Sequence, residues 1–223
     1  MTTFHIITLF AEMFEGVFSQ SILKRAQDLK KIKIEIINIR DFAGDKHKTV
    51  DDKPYGGGRG MVMKVDVLVK ALESIDGKPF SILLSASGEK YTQKSARILS
   101  KKSQIALICG HYEGTDARIE KFVDKTYSIG DFILTGGEIG AMAIVDSTTR
   151  LIPKVIHPES LESESFAAKK NLLEYPQYTK PEEFRGQKVP KILLSGNHRE
   201  IEKWRKIQAL RRTKKNRPDL LNT

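Results

Sequence analysis

Apolar runs alternate with amphipathic stretches along the N-terminal part of the chain, and this pattern predicts the order of elements. Short runs rich in β-branched residues predict buried strands, at 4–10, 31–39, 80–84 and 105–109. Stretches with apolar residues at helical spacing predict amphipathic helices, at 11–29, 65–74 and 92–100. Because strands and helices alternate, the sequence predicts an α/β fold with a mostly parallel sheet and helices on both faces.

Glycine-rich turns follow three of the apolar runs, at 85–88, 110–114 and 136–137, the last after a run that is interrupted by Gly130 and Asp131. Glycine allows a positive φ and lets the backbone approach a ligand closely. Ligands of such sheets bind at the carboxyl ends of the strands. Ordinary tight turns are the alternative, but these turns also carry Tyr112, Glu113 and Glu138. Together they predict a backbone-lined pocket formed by turns of adjacent strands.

The familiar phosphate-binding loops do not occur in this sequence. It has no G-x-x-x-x-G-K-[ST] motif, and no G-x-G-x-x-G follows the first predicted strand. A nucleotide-dependent enzyme such as a dehydrogenase therefore lacks its expected motif. The predicted pocket suits a ligand that is not recognised through phosphates.

A long polar segment, 42–61, separates the second predicted strand from the next helix. Structureless loops of this length in compact domains are usually functional or disordered. The segment contains paired acids, Asp51 and Asp52, and the aromatic Tyr55 before a run of glycines. These residues favour a functional loop, and a mobile solvated loop is the alternative.

The character of the chain changes after residue 150. A Ser/Glu-rich run punctuated by prolines predicts a linker, and a basic helical region follows. Within 198–217, nine residues are Lys or Arg and two are acids, Glu200 and Glu202. The net charge of the whole chain is +10, which favours an anionic partner such as nucleic acid. A phosphate-binding face is predicted for this helix, and a merely solvated surface is the alternative.

Composition excludes several classes of protein. No apolar run approaches the roughly 18 residues that span a bilayer, and the first ten residues resemble a strand, not a signal peptide. Cys109 is the only cysteine, so no intrachain disulfide forms. The five histidines show no metal-ligand spacing, and no metal ligands are assigned. We expect a cytoplasmic protein without a membrane partner.

Six motifs together identify a resemblance to a known family. The sequence contains VDDKPYGGGRGM, CGHYEGTDARI, SIGDFILTGGE, LLEYPQYTKP, VPKILLSGNHREIEKWR and NRPDLL. In this order they closely resemble the bacterial tRNA (guanine-N1)-methyltransferases, which modify the guanine just 3′ of the anticodon. The resemblance is collinear from Phe4 to Leu221.

The resemblance implies S-adenosylmethionine as methyl donor, a knotted SPOUT-type methyltransferase domain and a homodimer with a shared active site. A knot does not follow from composition or spacing, since topology rules would exclude one. The positions that match the family's donor-binding residues are Leu84, Ser85, Gly110, Tyr112, Glu113, Gly114, Ile129, Gly130, Asp131, Phe132, Ile133, Leu134, Gly136 and Gly137. The family usually has Pro where this chain has Ala86.

Methylation of guanine N1 needs a base near N1 and a cation near O6. By resemblance, Arg150 is the catalytic arginine and Glu164 the general base, where the family usually carries Asp. Without the resemblance, Arg150 could cap a helix and Glu164 could be a solvated linker acid. The positions expected to contact tRNA are Asp51, Tyr55, Gly56, Gly57, Gly58, Arg59, Ser165, Lys203, Arg205 and Lys206. Magnesium dependence is a further family expectation, without assigned ligands.

Three segments are predicted. Residues 1–158 form the α/β domain that binds S-adenosylmethionine, 159–171 form a flexible linker, and 172–223 form a small all-α basic domain that binds tRNA. The rival hypothesis is a non-catalytic basic RNA-binding module. It explains the charge and the basic helix, but not the three glycine turns.

Overall fold

The computed structural model describes residues 1–167 and 172–221, so the end of the predicted linker, 168–171, lies outside the described residues. The chain divides into two compact units, Met1–Ile156 and His157–Thr223, called here the first and the second unit. The functions assigned to the predicted domains remain predictions.

Seven strands lie in the first unit. In chain order they are β1 (Thr2–Thr8), β2 (Ile32–Asn38), β3 (Asp51–Asp52), β4 (Val62–Met63), β5 (Phe80–Lys90), β6 (Gln104–Cys109) and β7 (Lys125–Ser128). Five of them form one sheet in the order β2-β1-β6-β5-β7, and every pairing in it is parallel. The first unit is therefore built around a parallel sheet whose strands all end at the same edge.

Helices cover both faces of this sheet. They are α1 (Glu15–Phe18), α2 (Ser21–Asp28), α3 (Val65–Glu73), α4 (Gln93–Leu99) and α5 (Glu138–Thr149). Side chains alternate along a strand, so Ile6 of β1 packs into one core with α2, α4 and α5. The next residue, Ile7, packs into a second core with α3. This arrangement confirms the predicted α/β fold class, and the knot remains an expectation from the family.

The single helix predicted for 11–29 is wrong. A 3-10 turn (Ala11–Phe14) leads into α1, and the chain leaves the helix before α2 begins at Ser21, whose φ is +51°. The side-chain amide of Gln27 donates to the carbonyl oxygen of Phe18, 2.7 Å away. This bond gives a carbonyl at the end of α1 a side-chain partner at the point where the chain turns.

Two further elements differ from the sequence prediction. β5 does not end at Leu84 but continues to Lys90, and its pairing with β7 shifts register between Leu84 and Glu89. The predicted turn at 85–88 is therefore an irregularity within a strand. The polar segment 42–61 is not structureless either, because Asp51 and Asp52 pair antiparallel with β4.

The second unit is mainly helical. Its elements are α6 (Pro158–Glu162), a hairpin of β8 (Glu183–Phe184) and β9 (Gln187–Lys188), α7 (Lys191–Leu194), α8 (His198–Asn216) and a 3-10 turn (Pro218–Leu221). The hairpin was not predicted; Gly186, with a φ of +79°, lies in its turn. No helix in 1–167 or 172–221 is both long and apolar enough to cross a membrane.

Hydrogen bonds hold part of the predicted flexible linker within the second unit. The amide of Phe166 donates to the Leu172 carbonyl at 2.9 Å, and the amide of Glu174 donates to Ser165 Oγ at 2.9 Å. The amide of Leu173 donates to Thr213 Oγ1 of α8, also at 2.9 Å. The segment next to Glu164 is therefore anchored to the long basic helix.

Candidate active site

A pocket of about 240 Å³, called here the strand-end pocket, lies beside the ends of β6 and β7 and the irregular part of β5. Because β5 lies between β6 and β7 in the sheet, the turns that follow β6 and β7 are not on adjacent strands, and that part of the sequence prediction is wrong. All three irregular segments nevertheless meet at one edge. The lining residues are Leu84, Ser85, Ala86, Gly110, His111, Tyr112, Glu113, Gly114, Thr115, Tyr127, Ser128, Ile129, Gly130, Phe132, Ile133, Leu134, Thr135, Gly136, Gly137 and Gly140.

All predicted donor-binding positions except Asp131 line this pocket. The side chain of Asp131 is 91% exposed and its carboxylate lies 3.5 Å from Lys90 Nζ. Ser85 remains in the pocket although β5 continues past it, because the register shift directs the chain away from β7 there. The geometry thus brings the predicted positions together, and their role in donor binding remains a prediction.

Gly137, just before α5, packs against the backbone at the end of β6. The amide of Gly137 donates to the Gly110 carbonyl at 2.8 Å. A Cβ on Gly137 would lie 2.8 Å from Cys109 Cα and 3.0 Å from the Gly110 nitrogen. The close approach inferred from the sequence is therefore between two stretches of backbone, and it joins the end of β6 to the start of α5.

The loop after β6 has an unusual backbone conformation. Gly114 has a φ of +121°, where glycine is favoured. Tyr112 has a φ of +60°, which is uncommon for a residue with a Cβ and is found where surrounding contacts determine the conformation. Its ring packs edge-on against His111, with 5.1 Å between centroids. The loop therefore holds a defined shape at the mouth of the pocket.

Sequence reasoning missed several lining residues, among them His111, Tyr127, Ser128 and Gly140. Tyr127 and Ser128 end β7, a strand of four residues whose opening Lys-Thr gave no apolar signal. Gly140 lies in α5, where a Cβ would lie 3.5 Å from a Leu84 methyl group. A glycine inside a helical pattern was the one signal that could have indicated this close packing.

The hairpin of β3 and β4 is attached to the loop after β6. The amide of Met63 donates to the Gly114 carbonyl at 3.0 Å, and the amide of Glu113 donates to the Met61 carbonyl at 3.1 Å. At the other end of the hairpin Tyr55 is 99% exposed. The glycines that follow it have φ values of +85°, +80° and +132°, at Gly56, Gly57 and Gly58. Of the predicted tRNA contacts in this segment, Asp51 therefore lies in β3, and Tyr55 to Arg59 lie in the loop between β3 and β4.

Two titratable groups near the pocket have shifted pKa values. The side-chain hydrogen bond from Arg118 lowers the pKa of Asp116 to about 2, so this carboxylate is ionised at neutral pH. Burial, and then the nearby charge of Glu138, raise the pKa of the Cys109 thiol well above its ordinary value. A buried neutral thiol is a poor nucleophile, which argues against covalent catalysis by Cys109.

The predicted catalytic residues lie in different units. Arg150 follows the last residue of α5, and a helix of that length is roughly 18 Å long. Arg150 is therefore at the opposite end of α5 from the strand-end pocket. Glu164 belongs to the second unit.

Glu164 lines a second cavity of about 730 Å³, called here the C-terminal cleft. Two predicted tRNA contacts, Arg205 and Lys206, line the same cleft. The guanidinium of Arg205 lies over the Tyr175 ring at 4.9 Å from its centroid and 3.2 Å from the Glu202 carboxylate. Lys203 pairs instead with Glu200 at 2.7 Å. In the part of the chain that the structure describes, no group of three His, Cys, Asp or Glu residues could hold a metal ion.

The parallel sheet and the glycine-lined pocket at its strand ends place this protein in a class of α/β proteins. Members of this class bind a small ligand at the carboxyl ends of the strands, as many enzymes do. The family described as "tRNA (Guanine-1)-methyltransferase TrmD" matches residues 2–223. The chain belongs to this family of enzymes.

Relatives named tRNA (guanine-N(1)-)-methyltransferase match nearly the whole chain. The protein of Dictyoglomus turgidum is 53% identical over 223 residues, covering 99% of this chain and 90% of its own length. That of Caldanaerobacter subterraneus subsp. tengcongensis is 56% identical, covering 98% and 91%. That of Geobacillus kaustophilus is 55% identical, covering 97% and 90%.

Proposed function

We propose that this protein transfers a methyl group from S-adenosylmethionine to N1 of the guanine just 3′ of the anticodon in tRNA. The observation that carries the proposal is the strand-end pocket, where the family's donor-binding positions, apart from Asp131, come together. Relatives at 53–56% identity are named tRNA (guanine-N(1)-)-methyltransferase, which supports methyl transfer to guanine N1 of a tRNA. A non-catalytic RNA-binding module would have no need of such a pocket.

The pocket suits the proposed donor chemically. Its wall combines apolar side chains such as Ile129 and Leu134 with glycine backbone, which can enclose an adenine ring and hydrogen-bond its edge. The carboxylate of Glu113 complements the donor's positive charge. When bound, S-adenosylmethionine supplies an electrophilic methyl group on its sulfonium.

The chain's own residues would handle the proton and charge of the guanine. Arg150 remains protonated, so it can stabilise negative charge that develops on O6. Glu164 can accept the N1 proton as the methyl group arrives, because a positioned carboxylate can act as a general base. Its place in the C-terminal cleft beside Arg205 and Lys206 supports a role next to bound RNA.

The proposed enzyme is a homodimer whose active site combines residues of two protomers. The length of α5, roughly 18 Å, separates Arg150 from the strand-end pocket of its own chain. This is farther than an arginine side chain reaches. A partner protomer that contributes its Arg150 would complete the site.

The proposed partner is tRNA, bound through the basic helix α8, in the cytoplasm. Proteins read RNA sequence mainly in loops with splayed bases, and a base that reacts must leave its stack. The exposed Tyr55 hairpin and α8 both offer surface for such a loop. A magnesium requirement remains a family expectation, with no ligands assigned.

The test is methyl transfer to an anticodon stem-loop RNA with a guanine 3′ of the anticodon. Mass spectrometry of the nucleosides should show 1-methylguanosine after incubation with S-adenosylmethionine. The matched RNA carries adenine at that position and should stay unmethylated. Binding of donor or RNA without any methyl transfer would contradict the proposal.

A further inference from the structure

Two polar side chains, one in the wall of the strand-end pocket and one behind it, lie close together and have no part in the proposed reaction. The carboxylate of Glu138, 2% exposed, has its Oε2 3.9 Å from Nδ1 of His111, 22% exposed. This distance is too long for a hydrogen bond, so the two side chains are in polar contact. Nδ1 of His111 is itself buried, and among residues 1–167 and 172–221 it has no hydrogen-bond partner. His111 lines the pocket, whereas Glu138 does not.

Glu138 is held in place from the sheet side. Thr8, the last residue of β1, donates its hydroxyl to Glu138 Oε1 at 2.8 Å. The Thr8 oxygen in turn accepts the amide of Phe10 at 2.9 Å. Glu138 is also the first residue of α5, where the helix dipole favours a negative charge. A buried carboxylate persists only with such partners, so its position is well determined.

Gly136 leaves the space that this pair needs. A Cβ on Gly136 would lie 2.5 Å from His111 Nδ1 and still closer to Glu138 Oε2. Gly136 has no positive φ that would by itself require glycine. The glycine is therefore explained by the contact between His111 and Glu138.

His111 connects this pair to the wall of the pocket. Its ring packs between Phe10 and Tyr112, with centroid distances of 4.7 Å and 5.1 Å. Its backbone forms a bridge with Gly136, so the loops after β6 and before α5 meet at this residue. The next two residues are Tyr112 and Glu113, both of which line the pocket.

We propose that Glu138 is a positioning residue that acts through His111 to fix the loop carrying Tyr112 and Glu113 in its donor-binding shape. The inference rests on the proposed function for the identity of the donor. Its physical basis is geometric: Thr8 holds the Glu138 carboxylate beside the His111 ring, and no side chain at position 136 occupies the space between the two. Removal of either partner should loosen the loop and weaken donor binding, while the basic helix α8 of the second unit is left unchanged.

Four variants test this inference by calorimetry with S-adenosylmethionine. Glu138→Gln and His111→Gln should each weaken donor binding about tenfold, and the double variant should be hardly worse than either, because coupled neighbours are not additive. Gly136→Ala should have the same effect by wedging the pair apart. The part of RNA affinity that depends on salt and comes from α8 should be unchanged in all of them.

The matched control is another His–Glu pair on the same sheet, His5 and Glu35, with 2.9 Å between Nδ1 and Oε2. Glu35→Gln changes the same chemistry away from the pocket, so melting temperature can shift but donor affinity should not. Additive losses in the double variant, or normal donor affinity in folded Glu138→Gln, would overturn the inference. If Glu138→Gln does not fold, unchanged donor affinity of His111→Gln would overturn it too. Failure of the wild-type protein to bind the donor would refute the proposed function instead.

Discussion

Because Gly137 has no Cβ, the start of α5 can pack directly against the backbone at the end of β6. A methyl group there would press on Cys109 Cα at 2.8 Å, and backbone atoms cannot move aside as a flexible side chain can. We expect Gly137→Ala to lower stability by about 1–3 kcal/mol, as overpacking does, and to reduce donor binding by shifting the start of α5. Thermal unfolding and calorimetry with S-adenosylmethionine measure both effects.

The control for this variant is Gly16→Ala in α1. A Cβ on Gly16 would meet no atom within 4 Å, and alanine is favoured over glycine in helices. This change should leave donor affinity unaltered and stability equal or slightly higher. A Gly137→Ala protein with normal melting temperature and normal donor affinity would show that the close approach has no consequence.

His5 gives the first unit a predictable response to acid. Burial lowers the pKa of His5, and the attraction of Glu35 opposes this shift. Because the folded state binds the proton less readily than the unfolded chain, stability is complete above about pH 6.5 and declines as the pH falls through that value toward the lower, folded-state pKa. Glu35→Gln removes the opposing attraction, so its decline should be steeper.

Urea unfolding between about pH 7.5 and 5.5 measures this slope. A His5→Gln variant serves as the control, since it has no imidazole to titrate and should show a flatter dependence than the wild-type protein. Identical slopes for the wild type and both variants would mean that His5 does not govern the acid response.

At the scale of the elements, the strands were predictable because burial on both faces demands apolar runs, as in β1 and β6. What failed were features decided by contacts that the local hydrophobic pattern does not show. The break before α2 depends on Gln27 reaching the Phe18 carbonyl, and the extension of β5 depends on its pairing with β7. The pocket positions came from family resemblance, while the His111–Glu138 contact needed the folded structure.

Helix α8 supports a prediction about phosphate binding. Its two acids are each paired one turn later, Glu200 with Lys203 and Glu202 with Arg205, yet the helix remains strongly basic. Changing Lys203, Arg205 and Lys206 together to Gln should weaken tRNA binding. The slope of log affinity against log salt should fall by about 0.7–0.9 for each phosphate that the protein no longer neutralises.

Two comparisons make this experiment specific. Changing three exposed lysines of the first unit, Lys70, Lys78 and Lys101, to Gln removes the same charge elsewhere and should alter the salt slope less. Arg205→Gln alone also removes the stacking on Tyr175, so its melting temperature must be measured separately. Equal salt slopes for the two triple variants would identify α8 as a merely solvated surface.

The segment around Glu164 supports a prediction about the general base. The hydroxyl oxygen of its neighbour Ser165 accepts a hydrogen bond from the backbone amide of Glu174. Glu164 therefore lies in an anchored stretch of chain. Glu164→Gln keeps the size of the side chain but removes the base, and turnover should fall by about 10²–10⁴-fold with donor and tRNA affinities nearly intact. Glu164→Asp restores the family's usual residue and should remain active.

Glu162→Gln is the neighbouring control and should turn over normally. If Glu162→Gln is inactive while Glu164→Gln is active, the alignment of this segment is wrong by two positions. If neither change matters, the base lies elsewhere, and Asp51 or Asp52 would be tested next.

At the scale of the whole molecule, α5 carries the last prediction, because it separates Arg150 from the strand-end pocket of its own chain. If the active site is shared between protomers, two differently disabled proteins should complement each other. Arg150→Ala keeps an intact pocket, and Gly136→Ala keeps Arg150 but leaves its own pocket largely empty when S-adenosylmethionine is supplied well below the concentration that half-fills that weakened pocket. Unfolded and refolded together in equal amounts, they should regain about a quarter of the wild-type sites through mixed two-fold dimers. Each variant treated alone should stay near its own low activity. No recovery, in a mixture shown by mass spectrometry to contain mixed dimers, would mean that each protomer uses its own Arg150.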